Sequence, residues 1–372
     1  MTEKFKDPLF VTKAVLPEFD NYVEKIKPIW ENNWLTNNGP IHDRLELRLK
    51  QYLKAENLTL FTNGHLALDS AVKALNLSGE VITTPFTFVS TAHAVRMNNL
   101  QPVFCDIKLS DYTIDEDKIE QLITEKTSAI IPVHVYGHPC NVEKIQQIAD
   151  RYGLKVIYDA AHAFGVEYDQ KPISRFGDIS MFSFHATKVF NTIEGGALTF
   201  RNAEYKHKLD LLKNFGIEGP ESVSMVALNA KMNEFQAAMG LANLEHIEQN
   251  FANRKCVYNT YKTRLSNVPG LKFPDISGNV LYNYSYVPIL VDERLFGKTR
   301  DGLFDRLGDY NIFPRKYFYP LITHIQAYSD CVSRLDNAEY VSERILCLPI
   351  YADMEVWVAQ KVCEIIIEIY NS

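Results

Sequence analysis

A lysine, an aspartate and a glycine-containing turn each follow an apolar segment of this sequence. Lys188 stands in FSFHATKVFNTIEGGAL, between a run of aromatic residues and a Gly-Gly pair. Asp159 closes the segment LKVIYD, and Gly64 follows the segment NLTLFTN. Singly, each has an ordinary explanation: most lysines are solvated, an aspartate after a strand usually caps a turn, and strand–glycine–helix turns are common.

Together these residues meet the needs of one cofactor. Pyridoxal 5'-phosphate requires an amine that forms a Schiff base, an acid that keeps its pyridine nitrogen protonated, and a cup for its phosphate. Lys188 and Asp159 are candidates for the amine and the acid. Gly64, His65 and Ser183 are candidates for the phosphate cup. The sequence therefore predicts a pyridoxal phosphate site.

The aromatic residues near this site have two expected roles. Phe88 is the candidate for the ring that covers one face of the cofactor. The aromatic residues beside Lys188 would keep water away from its amine. Because burial disfavours an ammonium ion, we expect the pKa of Lys188 to be lowered, which makes it a usable nucleophile and then a proton shuttle.

The segments that carry these residues alternate between strand and helix patterns from about residue 40 to residue 200. This alternation predicts an α/β domain with a mostly parallel sheet covered on both faces. Ligands of such sheets bind beyond the carboxyl ends of the strands. We therefore expect the site among the strand-end residues, which are Asn63 to His65, Pro85 to Phe88, His134 to His138, Asp159 to His162 and the stretch around Lys188.

Four local predictions concern helices. Pro40 is expected in the first turn of one helix, and Gly153 at the end of another. The segment DEDKIEQLI at 115–123 predicts a helix with an acidic first turn. Residues 234–265 predict one long helix, straight or bent. That helix leads from a large domain, residues 1–250 with an N-terminal arm, to a smaller C-terminal α/β domain, residues 251–372.

Composition excludes several classes of function. The chain has 372 residues, 46% hydrophobic and 23% charged, with a formal net charge of −7. A mildly acidic chain without a basic run argues against nucleic acid or an anionic membrane as the main partner. The six cysteines are scattered without a CxxC, and no apolar stretch is long enough to span a bilayer. We expect a cytoplasmic protein without a disulfide framework or a structural zinc.

Three histidines invite a metal-site interpretation. His134, His138 and His185 have no regular ligand spacing to carboxylates. Histidines that lie in the core or contact the cofactor are the better explanation, and no metal is expected.

The chain resembles the DegT/StrS-type nucleotide-sugar aminotransferases, which have the aspartate-aminotransferase fold, called PLP fold type I. The most specific feature is the lysine segment with its Glu-Gly-Gly tail, downstream of an Asp-x-x-His. The resemblance covers most of residues 30–245 and rests on the segments NNWLTNNGPIHDRLE, TNGHLAL, PFTFVSTAHAV, PVHVYGHPCNVEKI, YDAAHAFG, GDISMFSFHATKVFNTIEGGAL and NAKMNEFQAAMG.

The resemblance implies a role for each site residue. Lys188 would form the Schiff base, Asp159 would pair with the pyridine nitrogen, and Phe88 would stack on the ring. His162 would lie beside the phenolic oxygen of the ring.

The same resemblance implies how the phosphate is held and how the chain assembles. Gly64, His65 and Ser183 would hold the phosphate, with the backbone N–H of His65 as its contribution. Relatives often have Thr or Ser at position 65. Asn229 matches an asparagine that reaches the phosphate from the neighbouring subunit. A homodimer with sites at its interface is implied.

The resemblance also implies an activity. L-glutamate would donate an amino group to the keto carbon of a nucleotide-linked deoxysugar. The segments FPRKYFYPL and HATKVFNTIEGGAL resemble enzymes acting on dTDP-4-dehydro-6-deoxy-D-glucose, which supply dTDP-4-amino-4,6-dideoxy-D-glucose for lipopolysaccharide O-antigen. Arg315, Tyr317 and Tyr319 are therefore candidate sugar-nucleotide contacts, although such residues often simply pack a small sheet.

Other functions remain open at this point. Amination of a 3-keto sugar nucleotide would use the same chemistry. A pyridoxal-dependent sugar dehydratase of this family has histidine in place of the lysine, and Lys188 argues against it. A regulator or a non-enzymatic binding protein of the same fold would be favoured by loss of Lys188 or of the phosphate cup, and both are present.

Overall fold

The computed structural model describes residues 2–276, 278–331 and 334–372. In these ranges the α-helices are α1 Phe19–Asn32, α2 Pro40–Tyr52, α3 Gly64–Ala74, α4 Val89–Met97, α5 Val142–Tyr152, α6 Glu204–Leu212, α7 Glu234–Leu244, α8 Ile247–Leu265, α9 Glu293–Phe296, α10 Arg300–Asp309, α11 Asp336–Arg344 and α12 Val356–Asn371. The strands are β1 Leu9–Phe10, β2 Asn57–Phe61, β3 Glu80–Thr83, β4 Gln101–Phe104, β5 Thr127–Ile131, β6 Lys155–Asp159, β7 Glu167–Tyr168, β8 Lys171–Pro172, β9 Ile179–Ser183, β10 Gly196–Phe200, β11 Ile217–Gly219, β12 Ser222–Val223, β13 Leu271–Lys272, β14 Val280–Leu281, β15 Val287–Val291, β16 Ile312–Phe313 and β17 Ile345–Leu348.

A seven-stranded sheet forms the centre of the large domain, in the order β2-β10-β9-β6-β5-β3-β4. Strand β10 pairs antiparallel with both β2 and β9, and the other neighbouring strands are parallel. Its strands are almost continuously apolar and buried, because helices cover both faces. The predicted α/β domain with a mostly parallel sheet is confirmed.

The covering helices follow from their apolar spacing. In α5, Val142, Ile145 and Ile148 are buried at intervals of three residues and Ala149 lies four residues after Ile145, so they form one stripe against the sheet. This helix ends at Gly153, whose φ of 67° is left-handed and favours glycine. Pro40 is the first residue of α2. Both predicted helix boundaries are confirmed.

Two helix predictions were wrong: one segment forms no α-helix, and another forms two helices instead of one. Residues 115–123 form turns and a single 3-10 turn, Glu120–Leu122, instead of a helix. The Asp115 carboxylate accepts the N–H of Asp117 at 3.2 Å, and this local bond competes with helix formation. The long helix predicted over 234–265 is two helices, α7 and α8, separated at Glu245 and His246.

The smaller C-terminal unit has its own antiparallel sheet, β13-β15-β17. The sheet shares an apolar cluster with residues of α8, α10 and α12. The N-terminal arm joins this unit, because β1 pairs parallel with β16 and Leu9 is buried in the same cluster. The predicted domain boundary at residue 250 lies inside α8, whose first residue Ile247 packs in the core of the large domain.

None of the helices among the described residues is long and apolar enough to cross a bilayer.

Candidate active site

The carboxylate of Asp159 is buried at the carboxyl end of β6, in the middle of the sheet. One oxygen accepts a 2.7 Å hydrogen bond from Oγ1 of Thr91, and the other accepts a 3.1 Å bond from the N–H of Ala161. Burial raises the pKa of Asp159, whereas these two hydrogen bonds and the charge of Lys188 act to lower it. The acid therefore lies where the positive charge of Lys188 stabilises its ionised form.

Lys188 follows β9, the neighbouring parallel strand, in a turn in which its N–H bonds the carbonyl of His185 at 2.9 Å. The side chain is largely enclosed. Burial lowers the pKa of Lys188 to about 8, and the opposing effect of the Asp159 carboxylate keeps it from falling further. The structure brings the predicted amine and the predicted acid near enough for each charge to shift the pKa of the other.

His162 lies beside this pair in a buried position. Its Nδ1 accepts the N–H of Tyr136 at 3.0 Å, which assigns the proton of the neutral ring to Nε2. Burial lowers the pKa of His162 well below its usual value, and the charge of Lys188 lowers it further. His162 is therefore neutral near pH 7, with one N–H to donate.

Gly64 and Ser183 meet where the first turn of α3 packs against the end of β9. A Cβ atom on Gly64 would lie 3.0 Å from Cβ of Ser183, and one on Gly196 would lie 2.8 Å from the backbone of Asn63 and Gly64. This packing holds the N-terminus of α3, with its free N–H groups, beside the Ser183 hydroxyl. Asn63 caps the helix by accepting the N–H of Leu66 at 2.8 Å.

The side chain of His65 points to a neighbouring helix. Its Nδ1 lies 2.8 Å from Oγ of Ser90, in the first turn of α4. Burial lowers the pKa of His65. The backbone N–H of His65 lies in the first turn of α3, and its contact with a phosphate stays a prediction.

Phe88 immediately precedes α4 and leaves 60% of its side chain exposed. Its neighbour Thr87 lies 3.0 Å from Thr91, hydroxyl to hydroxyl, and Thr91 in turn bonds Asp159. The start of α4 therefore carries both Phe88, whose ring is exposed, and Thr91, which donates a hydrogen bond to Asp159.

Arg315, Tyr317 and Tyr319 lie on a loop of the small unit that reaches the site through Phe318. The ring of Phe318 stacks parallel to that of His162, with centroids 6.1 Å apart. Arg315 is exposed and lies over the ring of Tyr317, 5.5 Å from its centroid. Tyr319 differs, because its ring packs under the guanidinium of Arg300 at 4.7 Å.

Asn229 is exposed and forms an isolated antiparallel β-bridge with Asn214. Its side-chain oxygen accepts a 2.9 Å hydrogen bond from Nζ of Lys231. Its contact with a phosphate across a subunit interface stays a prediction.

Three residues that shape the site were missed by the sequence analysis. Thr91 holds Asp159, while Phe318 and Tyr286 pack on His162, the latter with ring centroids 4.8 Å apart. Thr91 could have been found, since a hydroxyl three residues after Phe88 falls in the first turn of the next helix. Phe318 and Tyr286 come from the other structural unit, so no local pattern marks them.

The histidines considered for a metal site have other surroundings. His134 is buried and stacks on Tyr158 with centroids 4.7 Å apart, and its Nδ1 accepts the N–H of Cys140. His138 is also buried. Across the part of the chain that the structure describes, no group of three or more His, Cys, Asp or Glu side chains could hold a metal ion.

Comparison with known proteins gives consistent matches along the chain. The model of the DegT/DnrJ/EryC1/StrS aminotransferase family matches residues 18–367. The dTDP-4-amino-4,6-dideoxy-D-glucose transaminase of Shigella dysenteriae is 45% identical over 364 residues, covering 97% of this chain and 99% of that protein. Its namesake from Escherichia coli is 45% identical over 363 residues, covering 96% of this chain and 97% of that protein.

Solved structures agree with these matches. The crystal structure of DesI in the presence of its TDP-sugar product has a TM-score of 0.95 and 31% identity, covering 99% of this chain and 94% of that one. Helicobacter pylori PseC, an aminotransferase of pseudoaminic acid biosynthesis, has a TM-score of 0.91 and 25% identity, covering 98% of this chain and 100% of that one.

Proposed function

Because the chain belongs to the DegT/DnrJ/EryC1/StrS aminotransferase family, we propose that it uses pyridoxal 5'-phosphate to transfer the amino group of L-glutamate to C4 of dTDP-4-dehydro-6-deoxy-D-glucose. The product is dTDP-4-amino-4,6-dideoxy-D-glucose, a building block for surface polysaccharide. Two relatives at 45% identity over nearly their full length bear the name of this transaminase, which supports the choice of sugar.

One observation carries the proposal: a half-buried lysine just after β9 lies close enough to the buried Asp159 of the adjacent parallel strand β6 for the charge of each to shift the pKa of the other. Burial of two opposite charges adds little net stability, since their desolvation offsets most of their attraction, so stability alone does not explain this arrangement. A lysine with a lowered pKa in such a crevice is typical of a functional amine.

The residues present fit pyridoxal 5'-phosphate. Among the described residues, Asp159 accepts one hydrogen bond at each carboxylate oxygen, so its carboxylate retains the capacity to pair with a protonated ring nitrogen. The absence of side chains at Gly64 and Gly196 lets the first turn of α3 pack closely against β9 and β10, which places its N-terminus next to Ser183 as a phosphate site requires. When bound, the cofactor supplies an electron sink that stabilises negative charge on the substrate carbon.

Lys188 is the proton carrier of the proposed reaction. With a pKa of about 8, about a tenth of its amines are neutral at pH 7, compared with a negligible fraction for an ordinary lysine. The neutral Nζ would take up the proton that the nitrogen-bearing substrate carbon loses, and the resulting ammonium would give a proton to the cofactor carbon, so that the proton moves from one carbon to the other. Burial raises the pKa of Asp159, whereas the hydrogen bonds from Thr91 and Ala161 and the charge of Lys188 act against that rise and favour the ionised acid.

Two further residues orient and shield the reacting groups. His162, neutral with its proton on Nε2, can donate a hydrogen bond to an oxygen acceptor without adding a charge to the site. Phe88 presents an aromatic face and reduces access of water. Arg315 and Tyr317, at the rim, are available to the nucleotide-linked substrate, and Asn229 is proposed to act on the partner's site in a homodimer.

The test uses the purified holoenzyme with L-glutamate and two separate acceptors, the 4-keto and the 3-keto dTDP-6-deoxysugars. NMR of the products identifies the carbon that carries nitrogen. We expect amination of the 4-keto sugar only, and no product without glutamate. A 3-amino product would refute the substrate assignment but leave amino transfer intact, and no amino sugar from either acceptor would refute the function.

A further inference from the structure

Two phenylalanine rings lie together on the surface of the small unit. Phe10 in β1 and Phe313 in β16 are register partners of the parallel pair, and their rings stack at 5.5 Å with an angle of 28°. The side chains are 59% and 36% exposed. The neighbouring residues Leu9 and Ile312 are buried and fix both strands, so the exposed rings are held on a rigid base.

Residues 313–317 lead from this aromatic pair to the candidate active site. Phe313 and Arg315 are exposed and alternate with the buried Ile312 and Pro314, so both lie on one side of this segment, which then enters a turn at Tyr317 and Phe318. Arg315 lies over the ring of Tyr317. The next ring, that of Phe318, stacks on His162. The order from the site outward is therefore an aromatic ring, a guanidinium and a stacked aromatic pair.

The N-terminal arm makes a second, independent connection between the pair and the site. The carbonyl of Val15 accepts a 2.9 Å hydrogen bond from the side chain of Asn191, three residues after Lys188. Val15 is five residues from Phe10, and Phe313 is five residues from Phe318, so each segment spans at most about 18 Å. Both limits are compatible with the extended length of a nucleotide-linked sugar.

We propose that Phe10 and Phe313 form the platform on which the pyrimidine base of the nucleotide-linked substrate stacks, with its diphosphate on Arg315. This assignment rests on the proposed function and specifies where the base end of that substrate binds. Each part of the ligand has a matching residue in this proposal. The two phenylalanine rings offer an apolar planar surface to the base, Arg315 offers a cation to the diphosphate, and Tyr317 is nearest to the sugar. Exposure of two apolar rings to water is unfavourable, and a base that stacks on them removes part of this surface from water.

The platform predicts how loss of one ring affects binding. Base–aromatic stacking is lost on substitution by alanine, and we expect Phe313→Ala and Phe10→Ala to weaken binding of dTDP roughly tenfold each. Phe313→Tyr keeps a ring and should bind within about twofold of the parent, whereas Phe313→Leu keeps only apolar area and should resemble the alanine variant. Binding of inorganic pyrophosphate should not respond to either phenylalanine but should weaken in Arg315→Ala.

The experiment is calorimetric titration of the holoenzyme with dTDP and with pyrophosphate. Tyr152→Ala, which removes a 45% exposed aromatic side chain from α5, is the matched control. The cofactor absorbance and the thermal unfolding midpoint of every variant should match those of the parent, which shows that each is folded and loaded. Sedimentation of each variant reports whether the rings belong to a contact between copies.

The outcomes separate this inference from the proposed function. If dTDP does not bind the parent enzyme, the nucleotide class of the substrate is wrong. If dTDP binds the parent but equally well the Phe313→Ala and Phe10→Ala variants, the platform is wrong and the function stands. A change of oligomeric mass with unchanged dTDP affinity would likewise overturn the platform in favour of an interface between two copies.

Discussion

The hydroxyl of Thr91 donates a 2.7 Å hydrogen bond to the carboxylate of Asp159 and so joins the first turn of α4 to the end of β6. Phe88 directly precedes the same helix. The aromatic face expected to cover the cofactor and the acid expected to pair with its nitrogen are thus positioned by one helix start. The buried hydroxyl of Thr91 links the two.

Replacement of Thr91 by valine removes that hydroxyl and preserves the shape of the side chain. The lost hydrogen bond favoured the ionised acid, so the pKa of Asp159 should rise and its hold on a protonated ring nitrogen should weaken. We expect the dissociation constant of pyridoxal phosphate, measured by absorbance titration, to increase roughly tenfold. Thr91→Ser keeps the hydroxyl and should stay close to the parent; equal affinity in both variants would disprove this role.

The pKa of Lys188 can be measured directly in the protein freed of cofactor. Labelling with an amine-reactive reagent, followed by peptide mass spectrometry, should give a midpoint at about pH 8 for Lys188. In Asp159→Asn the midpoint should fall, because the carboxylate raises this pKa. Lys144, whose pKa is raised by its bond to Asp117, is the internal control and should react slowly throughout. A Lys188 profile that matches Lys144 would rule out a lowered pKa.

Gly196 tests the close packing behind the phosphate cup. A Cβ atom there would lie 2.8 Å from backbone atoms of Asn63 and Gly64, which cannot move without shifting the first turn of α3. We expect Gly196→Ala to lower the free energy of unfolding by about 1–3 kcal/mol and to weaken cofactor binding. Gly308→Ala in α10, where nothing lies within 4 Å, is the control and should not destabilise. Unchanged cofactor affinity in Gly196→Ala would count against the cup.

A mixing experiment tests whether Asn229 acts on the partner's site. Lys188→Ala and Asn229→Asp should each be inactive, the second because its carboxylate repels a phosphate. If the two residues belong to different chains of one site, random exchange of subunits gives half heterodimers with one intact site each, and activity should recover to about a quarter. If both residues act within the same chain, each mixed dimer has two damaged sites and activity stays absent.

Much of the fold could be predicted from the sequence because local patterns determine it. The apolar spacing of α5 and the glycine at its end fix that helix without help from distant residues. Residues 115–123 show the limit of this approach: their composition favours a helix, but the Asp115 side chain binds the N–H of Asp117 and stabilises a turn.

The part of the candidate site that lies at or just after the ends of strands in one parallel sheet could be predicted from the sequence. Asp159 and Lys188 follow adjacent strands, so their approach is a consequence of topology. Phe318 and Tyr286 contact His162 from another part of the chain, and that contact depends on how the two structural units pack. The Phe10–Phe313 stack joins residues about 300 positions apart through a two-residue strand pair, and no periodicity reveals such pairing.

The central claim is that Lys188 is the amine that binds pyridoxal phosphate covalently, and borohydride reduction tests it most directly. Reduction of the holoenzyme followed by digestion and mass spectrometry should find the pyridoxyl group on the peptide that contains Lys188. The Lys188→Ala variant should carry no label after the same treatment. A label on any other lysine, or none on the parent enzyme after loading with the cofactor, would contradict the account.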